Sequence, residues 1–143
     1  MIYLDSCALV KLIRDEDGSD ALQAWLDERG DELVVTSELA QAEVLRAVRR
    51  SNHNDQGALI DAAELAAELA EADDVLDAIA QVSIDRDLLA RAGALELPML
   101  RTLDAIHLVS ALELASVGTG FVTYDNRLAA AARAAGLRVI SPS

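Results

Sequence analysis

A chain of 143 residues is long enough for one packed core, and 52% hydrophobic residues supply it. Aromatics are only 3%, which leaves no platform for stacking bases, and 12 Lys and Arg against 25 Asp and Glu give a formal net charge of -13. Binding of nucleic acid through the overall field is excluded, whereas attraction of a basic protein segment or of divalent cations is favoured.

Ile2-Tyr3-Leu4 is an apolar run ended by Asp5. It reads as a buried strand that delivers a carboxylate to its carboxyl end. It is not a signal peptide, because no basic region precedes it and Asp5 interrupts it. After Ser6 a helix leaves over Cys7 to Arg14. Cys7 is the single cysteine, so no intramolecular disulfide forms, a reducing cytoplasm fits, and a small core residue is expected. Asp15-Glu16-Asp17-Gly18 breaks this helix. Ser19 caps a second, with Ala21, Leu22, Trp25 and Leu26 at helical spacing, and Gly30 ends it in a left-handed position. Leu33 to Thr36 is β-branched and predicts a second strand. Ser37 caps a third helix from Glu38 to about Arg50. Leu39, Glu43, Arg46 and Arg50 share one side of it, and Val44, Leu45 and Val48 the other.

Ser51 to Asp55 reads as a loop. An Ala-rich helix is predicted from about Gln56 to Ala72, and Asp61, Glu64, Glu68 and Glu71 line one side. That stripe reads as a solvated face, the alternative being a surface for a helical or basic partner. Asp73-Asp74 leads into an ambiguous stretch with a short strand near Ala80 to Ile84. Asp85 caps a helix through Leu95, and Pro98 stops regular structure. The next helix, to about Val117, is apolar almost all round and should be buried. Asp104 and His107 are the strongly polar residues of its first two turns. Phe121 to Tyr124 is a strand with Asp125-Asn126 at its end, Arg127 to Ala135 the last helix, closed by Gly136, and Leu137 to Ile140 a final strand. No run approaches the ~20 apolar residues of a membrane span. Strand–helix alternation without repeat or linker predicts one α/β domain, residues 1–143, around a mostly parallel sheet of four or five strands.

Two strands end in a carboxylate, Asp5 and Asp125. A third is followed by a helix whose second turn carries Glu43, and Asp104 opens a helix too apolar to carry a charge casually. In a parallel sheet all four can converge at the carboxyl edge, where ligands sit. Each alone has a plainer reading: helix caps for Asp5 and Asp125, an exposed partner of Arg46 for Glu43, a dipole or Arg101 partner for Asp104. Together they repel unless neutralised. A hard cation with oxygen ligands, Mg²⁺ or Mn²⁺, would do so and would lower the pKa of a bound water for phosphodiester hydrolysis. Ser6, Thr123 and Asn126 are placed to orient a carboxylate or water, or else to make local turn and cap bonds. His107 is one turn from Asp104 and reads better as a core or rim histidine. No zinc cluster, phosphate loop or nucleophile elbow is present.

These stretches also carry a resemblance. Tyr3-Leu4-Asp5-Ser6 with Ala8 to Leu12, Ser37 to Arg46, Leu100-Arg101-Thr102-Leu103-Asp104-Ala105-Ile106-His107-Leu108, and Val122 to Leu128 with Ala131-Ala132 and Gly136-Leu137 resemble PIN-domain ribonucleases. The likeness is specifically to VapC-type toxins of type II toxin–antitoxin pairs. It implies a three-layer PIN-like α/β fold and an endoribonuclease with Mg²⁺ or Mn²⁺ held by Asp5, Glu43, Asp104 and Asp125. It also implies a homodimer, a VapB-type antitoxin that holds the enzyme inactive, and a heterotetramer or larger assembly with it. Cys7 departs from the small hydroxyl residue common there. RNA would bind through local positive groups, chiefly Arg46, Arg50 and Arg101, with Arg49 and Arg14 as further candidates. The acidic balance would favour a basic antitoxin segment in the acidic cleft. Two alternatives stay open: an RNA-processing nuclease without antitoxin, and a non-catalytic α/β module with an acidic pocket.

Overall fold

The computed structural model describes residues 1–114 and 118–143. Its elements in chain order are β1 Ile2–Leu4, α1 Ser6–Ile13, α2 Ser19–Asp27, β2 Val34–Ser37, α3 Ala40–Ser51, α4 Ala62–Ala78, β3 Ala80–Val82, α5 Arg86–Gly93, α6 Thr102–Glu113, β4 Gly120–Val122, α7 Asn126–Ala134 and β5 Arg138–Ile140. The predicted end of α6 at Val117 lies outside the described residues.

The five strands form one sheet in the order β3-β2-β1-β4-β5, with every pairing parallel. The strand β1 is central because it is apolar at every position and buried on both faces. Ile2 and Leu4 point to one face, where they pack with Leu9 of α1, Leu22 of α2, Val44 of α3 and Leu76 of α4. Tyr3 points to the other and packs with Phe121, Leu108 of α6 and Leu128 of α7. Leu88 of α5 closes on Ile106 and Val109 of α6. The result is the expected three-layer α/β fold. The chain builds β1, β2 and β3 outward, then returns to place β4 and β5 on the other side of β1. The order therefore reverses between β1 and β4, and the crevice at their carboxyl ends is where such sheets bind ligands. At Gly120 the sheet closes tightly: an added Cβ would lie 2.8 Å from Ile140 Cδ1.

Several predicted boundaries are corrected. Ser37 is the last residue of β2, and α3 starts at Ala40, although Ser37 Oγ still accepts from the Leu39 N–H at 3.2 Å. Gly18, at φ +88°, stands before α2 in place of Ser19, whose hydroxyl instead donates to the Arg14 carbonyl. The helix α2 ends at Asp27, and Gly30 is not left-handed. The helix α4 begins at Ala62, not Gln56, because Asn54 Oδ1 takes the N–H groups of Gln56 and Ala58 in a local turn. Asp61 then caps α4, which runs through Asp73-Asp74 to Ala78 because both acids face solvent and Ala72 and Leu76 keep the buried spacing. The acidic stripe is not wholly solvated. Glu68 accepts from Arg14 Nη1 at 2.6 and 2.8 Å and from Asn52 Nδ2 at 2.6 Å, tying α4 to α1 and α3.

Candidate functional site

Asp5 follows β1 and is buried, with 2% exposure. One carboxylate oxygen caps α1 by accepting from the Ala8 N–H at 2.8 Å, and the other accepts from Thr123 Oγ1 at 2.5 Å. Burial raises its pKa, and the bonds from Thr123 and Ala8 offset only part of that. Thr123 in turn accepts from the Asp125 N–H at 3.1 Å, so the ends of β1 and β4 are stitched together by one hydroxyl.

Asp125 caps α7 with Oδ1, which accepts from Arg127 and Leu128 at 2.8 and 2.9 Å. Its Oδ2 faces Arg101 Nη2 at 2.8 Å, and Arg101 Nε donates to Asp104 Oδ2, also at 2.8 Å. One guanidinium thus bridges two of the four acids. The bond to Asp104, then its charge and that of Asp125, raise the pKa of Arg101. Asp104 is only 14% exposed at the mouth of α6, and the burial expected of that helix holds from Ala105 to Ala111.

Glu43 stands in the first turn of α3 and not the second, because α3 starts at Ala40 instead of Glu38, and its Oε2 accepts from Ser6 Oγ and from His107 Nε2, the latter at 2.7 Å. Burial pushes its pKa up, but the bonds from His107 and Ser6 outweigh it and the net shift is down. His107 is buried as expected, yet its partners are Glu43, Ser6 and Tyr3, whose hydroxyl lies 2.8 Å from Nδ1. This pair was missed as part of the site. The available signal was a polar ring in a wholly buried helix facing a hydroxyl in the central strand, since buried polar groups need partners.

Asp5, Glu43, Asp104 and Asp125 line one cleft of about 980 Å³, together with Ser6, Arg46, Arg50, Arg101 and His107. Asn126 is exposed at the start of α7 and is not part of that lining. Arg14 is withdrawn to Glu68 and does not line it either. Cys7 is a correction: it is exposed and lines the cleft instead of the core. Desolvation against the cleft wall, then the charges of Asp5, Asp125, Glu43 and Asp104, push its thiol up to about 12.

Among the described residues no three His, Cys, Asp or Glu side chains already form a metal cage. The reason is visible in the bonding: Arg101 holds Asp104 and Asp125, Thr123 holds Asp5, and His107 and Ser6 hold Glu43. The donor set still fits a hard divalent cation, being all carboxylate oxygen, and two of its members already share one positive group.

The PIN domain family model matches residues 2–134. Ribonuclease VapC35 of Mycobacterium tuberculosis is 42% identical over 144 residues, covering 99% of this chain and 97% of that protein. Ribonuclease VapC46 of the same organism is 40% identical over 142 residues, covering 99% and 98%. The solved structure of VapBC2 from Rickettsia felis, bound to a DNA fragment from their promoter, aligns with a TM-score of 0.69 at 15% identity over all of both chains, a likeness of fold. With the family matched over nearly the whole chain and relatives at this identity, the chain belongs to the PIN-domain family, among its VapC-type ribonucleases.

Proposed function

We propose that this chain is a toxin endoribonuclease that hydrolyses RNA phosphodiester bonds with Mg²⁺ or Mn²⁺ held by Asp5, Glu43, Asp104 and Asp125. The observation that carries this reading is convergence: four carboxylates from four separate elements line one cleft at the reversal point of the sheet. A divalent cation bound there supplies charge for the phosphate and a lowered pKa for a neighbouring water. The chain's own residues do the rest. Thr123 and the Ala8 N–H orient Asp5, while Ser6 and His107 keep Glu43 ionised. Arg46 and Arg50 sit on the cleft side of α3, three and seven residues beyond Glu43, where they can hold RNA phosphates. Arg101 joins them once the acids no longer hold it.

The name of the Rickettsia neighbour, a VapBC complex, supports an antitoxin partner here. A VapB-type antitoxin with a basic segment suits the acidic cleft, and its affinity should fall as salt rises. A homodimer, and with antitoxin a heterotetramer or larger, completes the proposal, in a cytoplasmic setting. No helix among the described residues is long and apolar enough to cross a membrane.

The test is an RNase assay with and without EDTA on wild type, Asp5→Ala and Asp104→Asn. Cleavage should need the metal and fall by two or more orders of magnitude in each variant. Cleavage that survives either change, in a preparation free of contaminating nuclease, removes the mechanism.

A further inference from the structure

The group that aims Glu43 is not itself an acid. His107 lies on α6, buried to 2% exposure, and bridges the central strand to α3. Tyr3 is fully buried, its ring stacked on Phe121 with centroids 5.3 Å apart and planes 8° from parallel. Its hydroxyl position is therefore fixed by packing and does not depend on the cleft. A phenol carries its proton at neutral pH, so the hydroxyl has one to donate.

That proton decides the chemistry of the histidine. A neutral imidazole has one donor and one acceptor nitrogen. With the Tyr3 hydroxyl donating to Nδ1, the ring proton is on Nε2, and Nε2–H donates to Glu43 Oε2 at 2.7 Å. The opposite tautomer would set a nitrogen lone pair against a carboxylate oxygen. An imidazolium would also donate from Nε2, so the contact with Glu43 does not depend on the charge of the ring. Ser6 Oγ donates to the same oxygen. Both donors fall on Oε2, and no hydrogen bond among the described residues reaches Oε1.

We propose that Tyr3 and His107 are positioning residues that lock the Glu43 carboxylate so that Oε1 faces the cleft for the cation. This rests on the metal reading above and extends it to two residues that act through Glu43. Groups that orient a metal-ligating side chain typically change metal affinity ~10–100-fold when removed.

The test is Mn²⁺ binding to the purified full-length chain, by calorimetry and by the electron paramagnetic resonance signal of free Mn²⁺. The variants are His107→Leu, His107→Gln, Tyr3→Phe and Asp104→Asn. His107→Leu should weaken Mn²⁺ about tenfold or more. His107→Gln, whose amide can still donate toward Glu43, should recover most of that loss, which a packing role alone would not explain. Tyr3→Phe keeps the stacked ring and removes only the proton that sets the tautomer, and it should weaken Mn²⁺ in the same direction. If His107→Leu does not fold, Tyr3→Phe decides. Mn²⁺ binding lost in Asp104→Asn but of wild-type strength in Tyr3→Phe and in any folded His107→Leu overturns the positioning role and leaves the metal site standing. Binding unchanged in Asp104→Asn overturns the metal reading and this inference with it.

Discussion

Asp5 is a carboxylate kept where a carboxylate is costly. Its folded-state pKa is raised by burial, so between the ordinary carboxylate range and that raised value the native chain holds a proton that the unfolded chain has released. Native stability therefore falls as pH rises through that window, and the cost is fully present above it. Asp5→Asn, which keeps an oxygen to cap α1, should stabilise the metal-free protein at pH 7, with a melting temperature ~2–4 °C higher, the change that about 1 kcal/mol makes in a domain of this size. The advantage should vanish below pH ~4, where Asp5 is protonated in both states. A melting curve against pH for the two proteins checks it, and an Asn variant less stable at pH 7 would show that Asp5 is structural. Arg101 sets the complementary case. It occupies Oδ2 of Asp104 and Oδ2 of Asp125 at 2.8 Å each, so it competes with a cation for those oxygens. Arg101→Gln should therefore tighten Mn²⁺ binding several-fold while weakening RNA binding, read by calorimetry and by filter binding. The acids themselves were legible in the sequence, because each follows a strand or opens a helix at a place where a charge needs a reason. Arg101 as a partner of Asp104, three residues away, was legible too, but which distant group holds which acid was not. That Asp5 meets Thr123 and Glu43 meets His107 depends on contacts 118 and 64 residues apart in the chain, which no local pattern encodes.

At the scale of elements, the central strands β1 and β4 and the buried helix α6 were legible because their patterns leave no polar face, whereas the exposed edge strand β3 was ambiguous. The helix α4 was misplaced at both ends for the opposite reason. Its alanines and acids form a helix anywhere, so its limits are set by what lies outside it: the turn built on Asn54 at one end and entry into the edge strand β3 at the other. Only Ala72 and Leu76 of its 17 residues are buried, so apolar packing holds its first half weakly. Glu68 compensates. It is 14% exposed and takes donors from Arg14 and Asn52. Glu68→Ala removes one of the two acceptors of the buried Asn52 amide, the Val48 carbonyl remaining, and the carboxylate partner of the Arg14 guanidinium, and should cost ~1–3 kcal/mol. Hydrogen exchange should then show faster opening of α4 with β1 and β4 unchanged. If α4 exchanged at the wild-type rate, the anchor would be elsewhere.

For the whole molecule, the proposed function sets a net charge of -13 against a polyanionic substrate. Long-range steering works against RNA, so capture depends on a few cations placed inside the acidic field. Arg46, Arg50 and Arg101 are the arginines of the cleft. Three phosphate contacts to a single strand give a slope of log affinity against log salt of about -2, since each contributes about -0.7. Binding should be measured with a catalytically inactive Asp104→Asn protein and a single-stranded RNA, from low to moderate salt. Arg50→Ala should reduce the slope by about 0.7 and weaken all sequences alike, because a phosphate contact carries no base information. The association rate should not fall with salt, because screening relieves the repulsion of the acidic surface while it weakens the local contacts. A slope steeper than about -5 would mean an extended basic track outside the cleft, and that would contradict the placement of the arginines. A slope this shallow would have a functional consequence. Under the proposed function, with little non-specific affinity available and few aromatics to stack bases, discrimination between RNAs would fall to the fit of a target's shape in the cleft, and the acidic field that works against bulk RNA would attract a basic inhibitor segment.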